Sequence, residues 1–192
     1  MDIDFLNSNL NNKVEGLFVL KPIIYKDERG LFMESWNQKT FNKLLKRNIC
    51  FVQDNYSESS RGVLRGMHFQ IPPFNQDKLV RCIKGKIFDV VIDLRRNSQT
   101  FGQWASCYLD SESCKQLWIP SGFAHGFFVT SKKASVIYKT TNYWSKEHER
   151  AINWNDKDLS IDWPLEFGSP SLSKKDLNAG KFSDYLKEFV EW

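Results

Sequence analysis

Short runs of apolar and β-branched residues, separated by turn signals, recur along most of this chain. They are LFVLKPIIY (17–25), LFMESW (31–36), CFVQ (50–53), VLRGMHFQ (63–70), KLVRCIK (78–84), KIFDVVIDL (86–94), QWASCYL (103–109), KQLWI (115–119), HGFFVTS (125–131) and SVIYKTT (135–141). Strands at a spacing of roughly 8–12 residues predict a sandwich or barrel, because βαβ units need longer, helical connections. In 86–94, Phe88, Val90, Ile92 and Leu94 alternate with Asp89 and Asp93, which predicts a half-buried strand. Gly85 between two runs suits a tight hairpin.

Helical spacing is confined to two places. TFNKLLKR (40–47) puts Phe41, Leu44 and Leu45 on one side behind a candidate cap, Thr40. SDYLKEFVEW (183–192) does the same with Tyr185, Leu186, Phe189 and Val190 behind Ser183. No repeat or low-complexity linker divides the 192 residues. The expectation is one mainly β domain over 1–192: a jelly-roll barrel with a few short helices, including a C-terminal one.

Charge narrows the function classes. The 27 Lys and Arg are interleaved with 23 Asp and Glu, so no basic stripe for nucleic acid forms. No apolar run reaches the roughly 18 residues of a helical membrane span. The opening MDIDFLNSNLNNK lacks the apolar core of a signal peptide. Cys50, Cys82, Cys107 and Cys114 show no CxxC spacing, and free thiols suit a reducing cytoplasm. Aromatic residues make up 15%, which fits a large β core, with a ring-lined pocket as the sharper possibility.

Three histidines stand out against this background. His68, in LRGMHFQ, is either a packed histidine tied to backbone or a base, since imidazole is suited to proton abstraction near neutral pH. Arg65 precedes it by three residues, and Lys78 opens the following strand; adjacent strands would bring base and cation into one pocket. His125 ends a P-x-G-x-x-H spacing with Pro120 and Gly122, like the second metal motif of cupins. The companion H-x-H motif is missing, and two lone histidines do not supply the three or four ligands a metal needs, so no metal is expected. His148, in SKEHER, reads as part of a solvated loop. Tyr138 is either a core ring with a tied hydroxyl or a proton donor opposite the histidine.

Taken in order, DERGLFMESWN, FVQDNYS, VLRGMHFQ, QDKLVRCIKGKIFDVVIDLRRNSQTFGQW, QLWIPSGFAHGFFV, YKTTNYW and INWND…IDWP resemble the dTDP-4-dehydrorhamnose 3,5-epimerases. That family is metal-free and cupin-like, and the resemblance covers roughly residues 15–180. It implies a homodimer of jelly-roll subunits, no cofactor, and a nucleotide-linked 4-keto sugar as substrate. The chemistry implied is proton removal beside the ketone and return of a proton to the other face. By this resemblance His68 is the base, Asp176 orients it, Lys78 faces the enolate with Asp89 able to pair with it, and Tyr138 is the acid. Substrate contacts are implied for Arg29, Glu34, Gln53, Asp54, Asn55, Arg65, Lys78, His125, Glu149 and Lys175, with Trp144 stacking on the base.

Two residues depart from the family pattern. Asp77 replaces a usual glycine and is expected to place negative charge beside the pocket. Trp144 replaces a common tyrosine, and its larger face suits thymine or a purine. Two substrates therefore stay open, a dTDP-linked 4-keto-6-deoxy hexose and a GDP-linked 4-keto heptose or hexose, with inversion at C3, C5 or both. A non-catalytic sugar-nucleotide-binding cupin predicts loss of base or acid, yet His68, Lys78 and Tyr138 are all present. LRGMHFQ and YKTTNYW speak against a related ketoisomerase.

Overall fold

The computed structural model describes residues 2–188, Val190 and Trp192. The strands are β1 (Asp2–Asn7), β2 (Lys13–Lys21), β3 (Tyr25–Asp27), β4 (Gly30–Phe32), β5 (Gln53–Ser60), β6 (Leu64–Gln70), β7 (Lys78–Lys84), β8 (Lys86–Asp93), β9 (Trp104–Asp110), β10 (Gln116–Ile119), β11 (Phe123–Val129), β12 (Lys133–Thr140) and β13 (Glu149–Ala151). The helices are α1 (Gln38–Leu45), α2 (Lys174–Leu177) and α3 (Phe182–Tyr185), with a 3-10 turn at Leu165–Phe167. A six-stranded sheet has the order β1-β2-β10-β7-β12-β5, a five-stranded sheet the order β13-β6-β11-β8-β9, and β3 with β4 forms a separate hairpin. The chain is mainly β and cupin-like, with few short helices, including one near the C-terminus.

Alternation along each strand sorts its residues between layers. Val80, Cys82, Leu117, Ile119 and Val136 of the larger sheet meet Ile87, Val91, Phe123, Phe127 and Val129 of the smaller one in a shared core. Phe88, Val90, Ile92 and Leu94 point the other way, against Ile152, Leu159, Trp163, Phe182 and Tyr185 from the C-terminal part of the chain. That covering corrects the reading of β8 as half-buried: Asp89 and Asp93 are 0% and 1% exposed. The outer face of the larger sheet is covered as well, with Phe18, Leu79 and Trp118 lying under Phe41 of α1.

Gly85 does not make a hairpin. It joins β7 to β8, which belong to opposite sheets. The backbone takes φ +75°, and a Cβ there would lie 2.0 Å from Lys133 O. A crossing between layers needs both the left-handed conformation and the close approach.

Other boundaries moved for local reasons. Pro22, which has no N–H to donate, follows the end of β2, so the expected 17–25 strand stops at Lys21. Of the 31–36 run only Leu31 and Phe32 are strand, as the end of β4. The CFVQ run leads into a strand rather than forming one, and β5 itself is the polar QDNYSESS. Helix α1 starts earlier than expected, because the Asn37 side chain, not Thr40, caps it by accepting from Thr40 N at 3.0 Å. The C-terminal helix is a four-residue turn at Phe182–Tyr185 behind Lys181, not a helix from Ser183 to Trp192. Phe189, assigned to that helix from the sequence, lies outside the described residues.

Candidate active site

At one end of the barrel the inward positions change from apolar to polar. On β7 the inward series is Lys78, Val80 and Cys82, so Lys78 continues the core face beyond its apolar part. Tyr138 does the same on β12, following Ala134 and Val136. On the facing sheet, Arg65, His68 and Gln70 of β6 and His125 of β11 complete a pocket that Ser57, Phe69, Gln76, Phe127, Trp144 and Glu149 also line.

Arg65 and His68 are three residues apart, and a regular strand would send them to opposite faces. In β6 they share the pocket because the register against β11 slips: His68 pairs with His125, while Arg65 pairs with Phe127. Three residues on β6 span two on β11, which is a bulge. The bulge sits at Gly66, where φ is +146° and a Cβ would lie 2.5 Å from the Gly126 Cα. Glycine at both positions lets the two strands approach closely enough to keep the pair of histidines side by side.

His68 Nε2 lies 2.6 Å from Asp176 Oδ1. Asp176 is 3% exposed and belongs to α2, whose N-cap Ser173 accepts from Asp176 N. Burial pushes the Asp176 carboxyl up, but the His68 ring, with help from Ser173 and Lys175, more than reverses this and holds it below the usual carboxylate range. The bond to the carboxylate engages one ring nitrogen and leaves the other for a bound molecule.

Lys78 crosses from the opposite wall, with Nζ 3.4 Å from the His68 carbonyl oxygen. The strands β6 and β7 are not neighbours in a sheet, as the sequence reading supposed; they face each other across the barrel. Burial lowers the Lys78 ammonium from 10.5 to about 8, against the opposing pull of Asp89 and Glu149. Asp89, expected to pair with Lys78, bonds His125 instead, Oδ1 to Nε2 at 2.9 Å. Burial raises the Tyr138 phenol, Arg65 pulls it back down, and Glu149 adds to the rise.

Polar neighbours brace the rim. Arg65 Nε donates to Ser59 Oγ at 3.0 Å, and Lys175 Nζ meets Glu149 Oε1 at 2.6 Å. Gln53 accepts from Trp144 N at 3.0 Å and donates to Asn55 Oδ1 at 2.9 Å, which ties the Trp144 loop to β5. Trp144 keeps 55% of its surface exposed at the pocket mouth. Asp54 sits outside on β5 and pairs with Lys139 at 2.7 Å.

Besides Asp54, the structure separates three residues from the pocket. Arg29 projects from the β3–β4 hairpin with 83% of its side chain exposed and, among the described residues, pairs only with Asp27. Glu34 follows the same hairpin and accepts from Asn37. Asp77 adds no charge to the pocket: it is 2% exposed, ion-pairs with Arg47 and accepts from Ser121 N at 2.7 Å. His148 is also not loosely solvated, since its ring packs 4.5 Å from Phe74 and Nδ1 lies 2.8 Å from Ser145 Oγ.

Gln70 was missed, although it lies two residues after His68 and strand alternation alone gives it the same face. It is 4% exposed, accepts from Ser145 N at 2.6 Å and donates to the Phe74 and Tyr143 carbonyls. Its role is to fasten the Trp144 loop to β6. Among the described residues no three His, Cys, Asp or Glu side chains converge in the manner of a metal site. A carboxylate-backed imidazole, a buried ammonium and a phenol thus surround one space, with His68 and Tyr138 on opposite walls.

The chain as a whole is similar to known proteins. The family model for dTDP-4-dehydrorhamnose 3,5-epimerase matches residues 11–184. The Shigella flexneri protein of that name is 49% identical over 175 residues, covering 91% of this chain and 96% of its own. The crystal structure of the Elizabethkingia anophelis dTDP-4-dehydrorhamnose 3,5-epimerase superposes with a TM-score of 0.87 at 42% identity, covering 96% of this chain and 98% of that one. The Legionella pneumophila dTDP-6-deoxy-D-glucose-3,5-epimerase, solved in complex with dTDP-4-keto-L-rhamnose, gives 0.86 at 44% identity, covering 95% and 94%.

Proposed function

This chain belongs to the dTDP-4-dehydrorhamnose 3,5-epimerase family, and we propose that it inverts C3 and C5 of a dTDP-linked 4-keto-6-deoxy hexose. It is an isomerase of the epimerase class. The observation that carries the residue assignment is the placement of the His68–Asp176 pair and Tyr138 on opposite sheets with Lys78 between the same walls.

The C4 ketone acidifies the hydrogens on C3 and C5, because the carbanion left behind delocalises onto the carbonyl oxygen. His68 takes the proton, and Asp176 stabilises the imidazolium that results. The electron pair of the broken C–H bond forms the enolate, whose oxygen meets the Lys78 ammonium. The Tyr138 hydroxyl delivers a proton to the same carbon from the other face, and the enolate pair forms the new C–H bond. Imidazolium and phenolate then exchange with solvent, which restores both groups. Arg65 and Lys175 suit the diphosphate oxygens, with His125, Gln53, Asn55 and Glu149 as polar contacts. Trp144 offers its exposed face to the base.

Arg29, Glu34 and Asp54 belong to the proposed contact set, yet Arg29 and Glu34 lie away from the pocket of their own chain. A homodimer resolves this if the β3–β4 hairpin of one subunit reaches the pocket of the other. Four exposed apolar residues around that hairpin favour such burial: Ile23, Tyr25, Leu31 and Phe32 are 52% to 70% exposed. The cytoplasm is the proposed location. Four free cysteines fit a reducing compartment, and among the described residues no helix is long and apolar enough to cross a membrane.

The test is solvent exchange in deuterated water with dTDP- and GDP-linked 4-keto sugars in parallel. Deuterium at C3 and C5 of the dTDP-linked sugar alone supports the proposal. Turnover confined to the GDP-linked sugar, or no exchange with either, contradicts it.

A further inference from the structure

Asp77 immediately precedes Lys78 and takes no part in the chemistry above, yet its carboxylate is buried and both oxygens are engaged. Oδ1 accepts from Ser121 N at 2.7 Å, and Oδ2 accepts from the Arg47 guanidinium. The backbone of Asp77 bonds Thr141 twice, donating to Oγ1 at 2.9 Å and accepting from N at 3.1 Å. One residue thus joins the start of β7, the turn before β11 and the end of β12.

Each bond stands where a sheet ladder runs out. Lys78 pairs with Ile119 of β10 and with Thr140 of β12. The next residue after β10, Pro120, has no N–H, and the Asp77 side chain takes the N–H that follows it. On the other side Asp77 carries the β7–β12 pairing one residue further, into the turn that leads to Trp144. From there neutral groups stitch the rim: Gln76 Nε2 donates to Asn142 O at 2.8 Å, and Asn142 Nδ2 donates to Pro73 O at 2.9 Å. Gln76 and Trp144 both line the pocket.

Arg47 comes from outside the barrel, just after α1. Asn42 of that helix fixes the segment: its carbonyl accepts from Arg47 N at 3.2 Å, and its side chain accepts from Ile49 N at 2.9 Å. The Arg47 side chain is 56% exposed and Asp77 is 3%, so the guanidinium reaches from solvent to a buried carboxylate. A charge-assisted bond of this kind is stronger than the neutral stitches above it. Without Arg47, Asp77 is a buried charge facing a single N–H; it must turn outward or admit water, and either releases Ser121 and loosens the rim.

We propose that Asp77, clamped by Arg47, is a positioning residue: acting through Thr141 and Gln76, it holds the rim that presents Trp144 to the nucleotide base. The clamp stands on the contacts alone, while the identity of the ligand rests on the epimerase reading.

The test uses the full-length protein labelled with 5-fluorotryptophan, with the Trp144 signal assigned by Trp144→Phe. In fluorine NMR without ligand, Arg47→Gln should shift or broaden the Trp144 signal. The signals of Trp104, Trp154 and Trp163, packed on the outer face of the smaller sheet, should stay in place. Arg47→Lys should restore the Trp144 signal, because only one guanidinium nitrogen contacts Asp77. In steady-state kinetics Arg47→Gln should raise KM roughly 3- to 10-fold with little change in kcat. Asp77→Gly, which removes the buried charge together with the clamp, should match Arg47→Gln in both readouts. An unmoved Trp144 signal in Arg47→Gln and Asp77→Gly, or a lowered melting temperature with unchanged KM, overturns the proposal and leaves the pair a stabilising contact only. The fluorine spectrum needs no turnover, so its outcome is separate from the epimerase reading, which fails instead if the wild type shows no exchange.

Discussion

His68 and Asp176, separated by 108 positions in the chain, meet at 2.6 Å between Nε2 and Oδ1. The carboxylate comes from a four-residue helix outside the barrel, and the imidazole from the bulged strand inside it. The pair fixes the orientation of the ring. Asp176→Asn should therefore lower kcat by roughly 10²- to 10⁴-fold, with a much smaller change in substrate affinity. Steady-state kinetics of the purified variant check this. A loss confined to KM would assign Asp176 to binding.

The same substitution has a stability signature. The Asp176 carboxyl titrates below its unfolded value in the native protein, so the contribution is fully present above about pH 4 and is lost as pH falls through the native value. Thermal melts of wild type and Asp176→Asn should differ most above pH 4 and converge in acid.

Lys78 works in the opposite sense. Its native value is about 8 against 10.5 unfolded, so the enzyme loses the ammonium as pH rises through about 8. The kcat/KM profile should fall there, and Lys78→Arg should move that limb beyond the accessible range, because guanidinium stays charged. For stability the sign reverses: between about 8 and 10.5 the unfolded chain holds a proton that the native chain has released, so this group's contribution rises with pH.

Arg29 and His68 belong to different regions of one chain, and the proposed dimer joins them across two. Arg29→Ala and His68→Ala should each be strongly impaired as homodimers. Unfolded together and refolded as a mixture, the heterodimers should regain one intact pocket, approaching a quarter of wild-type activity if assortment is random. No recovery would place Arg29 outside the site.

Trp144 keeps its ring face open at the pocket mouth while Gln53 and Gln70 hold its loop. Trp144→Ala should raise KM by roughly 5- to 150-fold, the equivalent of about 1–3 kcal/mol of base stacking. Inhibition by free dTDP should weaken in parallel. An unchanged dTDP affinity would remove the stacking role.

Much of this was legible in the sequence. The apolar runs at 63–70, 78–84, 86–94 and 135–141 became β6, β7, β8 and β12, because inward alternation in an antiparallel barrel leaves a direct trace. Strand β5 left none: an edge strand with one face in water carries QDNYSESS, and only its partner β12 defines it. Which strands face each other was equally hidden. Gly85 reads as a hairpin turn locally, and only the two-sheet arrangement makes it a crossing. Within the site, motif order marked His68, Lys78 and Tyr138, whereas the bulge that puts Arg65 beside His68 depends on the Gly66–Gly126 approach. Asp77 was misjudged because its neutralising partner, Arg47, lies thirty positions upstream and no local pattern connects them.

The central claim is that His68 removes the proton and Tyr138 returns one on the other face. The most direct measurement follows deuterium uptake and stereochemical inversion together, by NMR of dTDP-4-keto-6-deoxyglucose in deuterated water. Tyr138→Phe should retain measurable exchange with little inversion, and His68→Ala should lose both. Exchange at the wild-type rate in His68→Ala, or full inversion in Tyr138→Phe, would contradict the account.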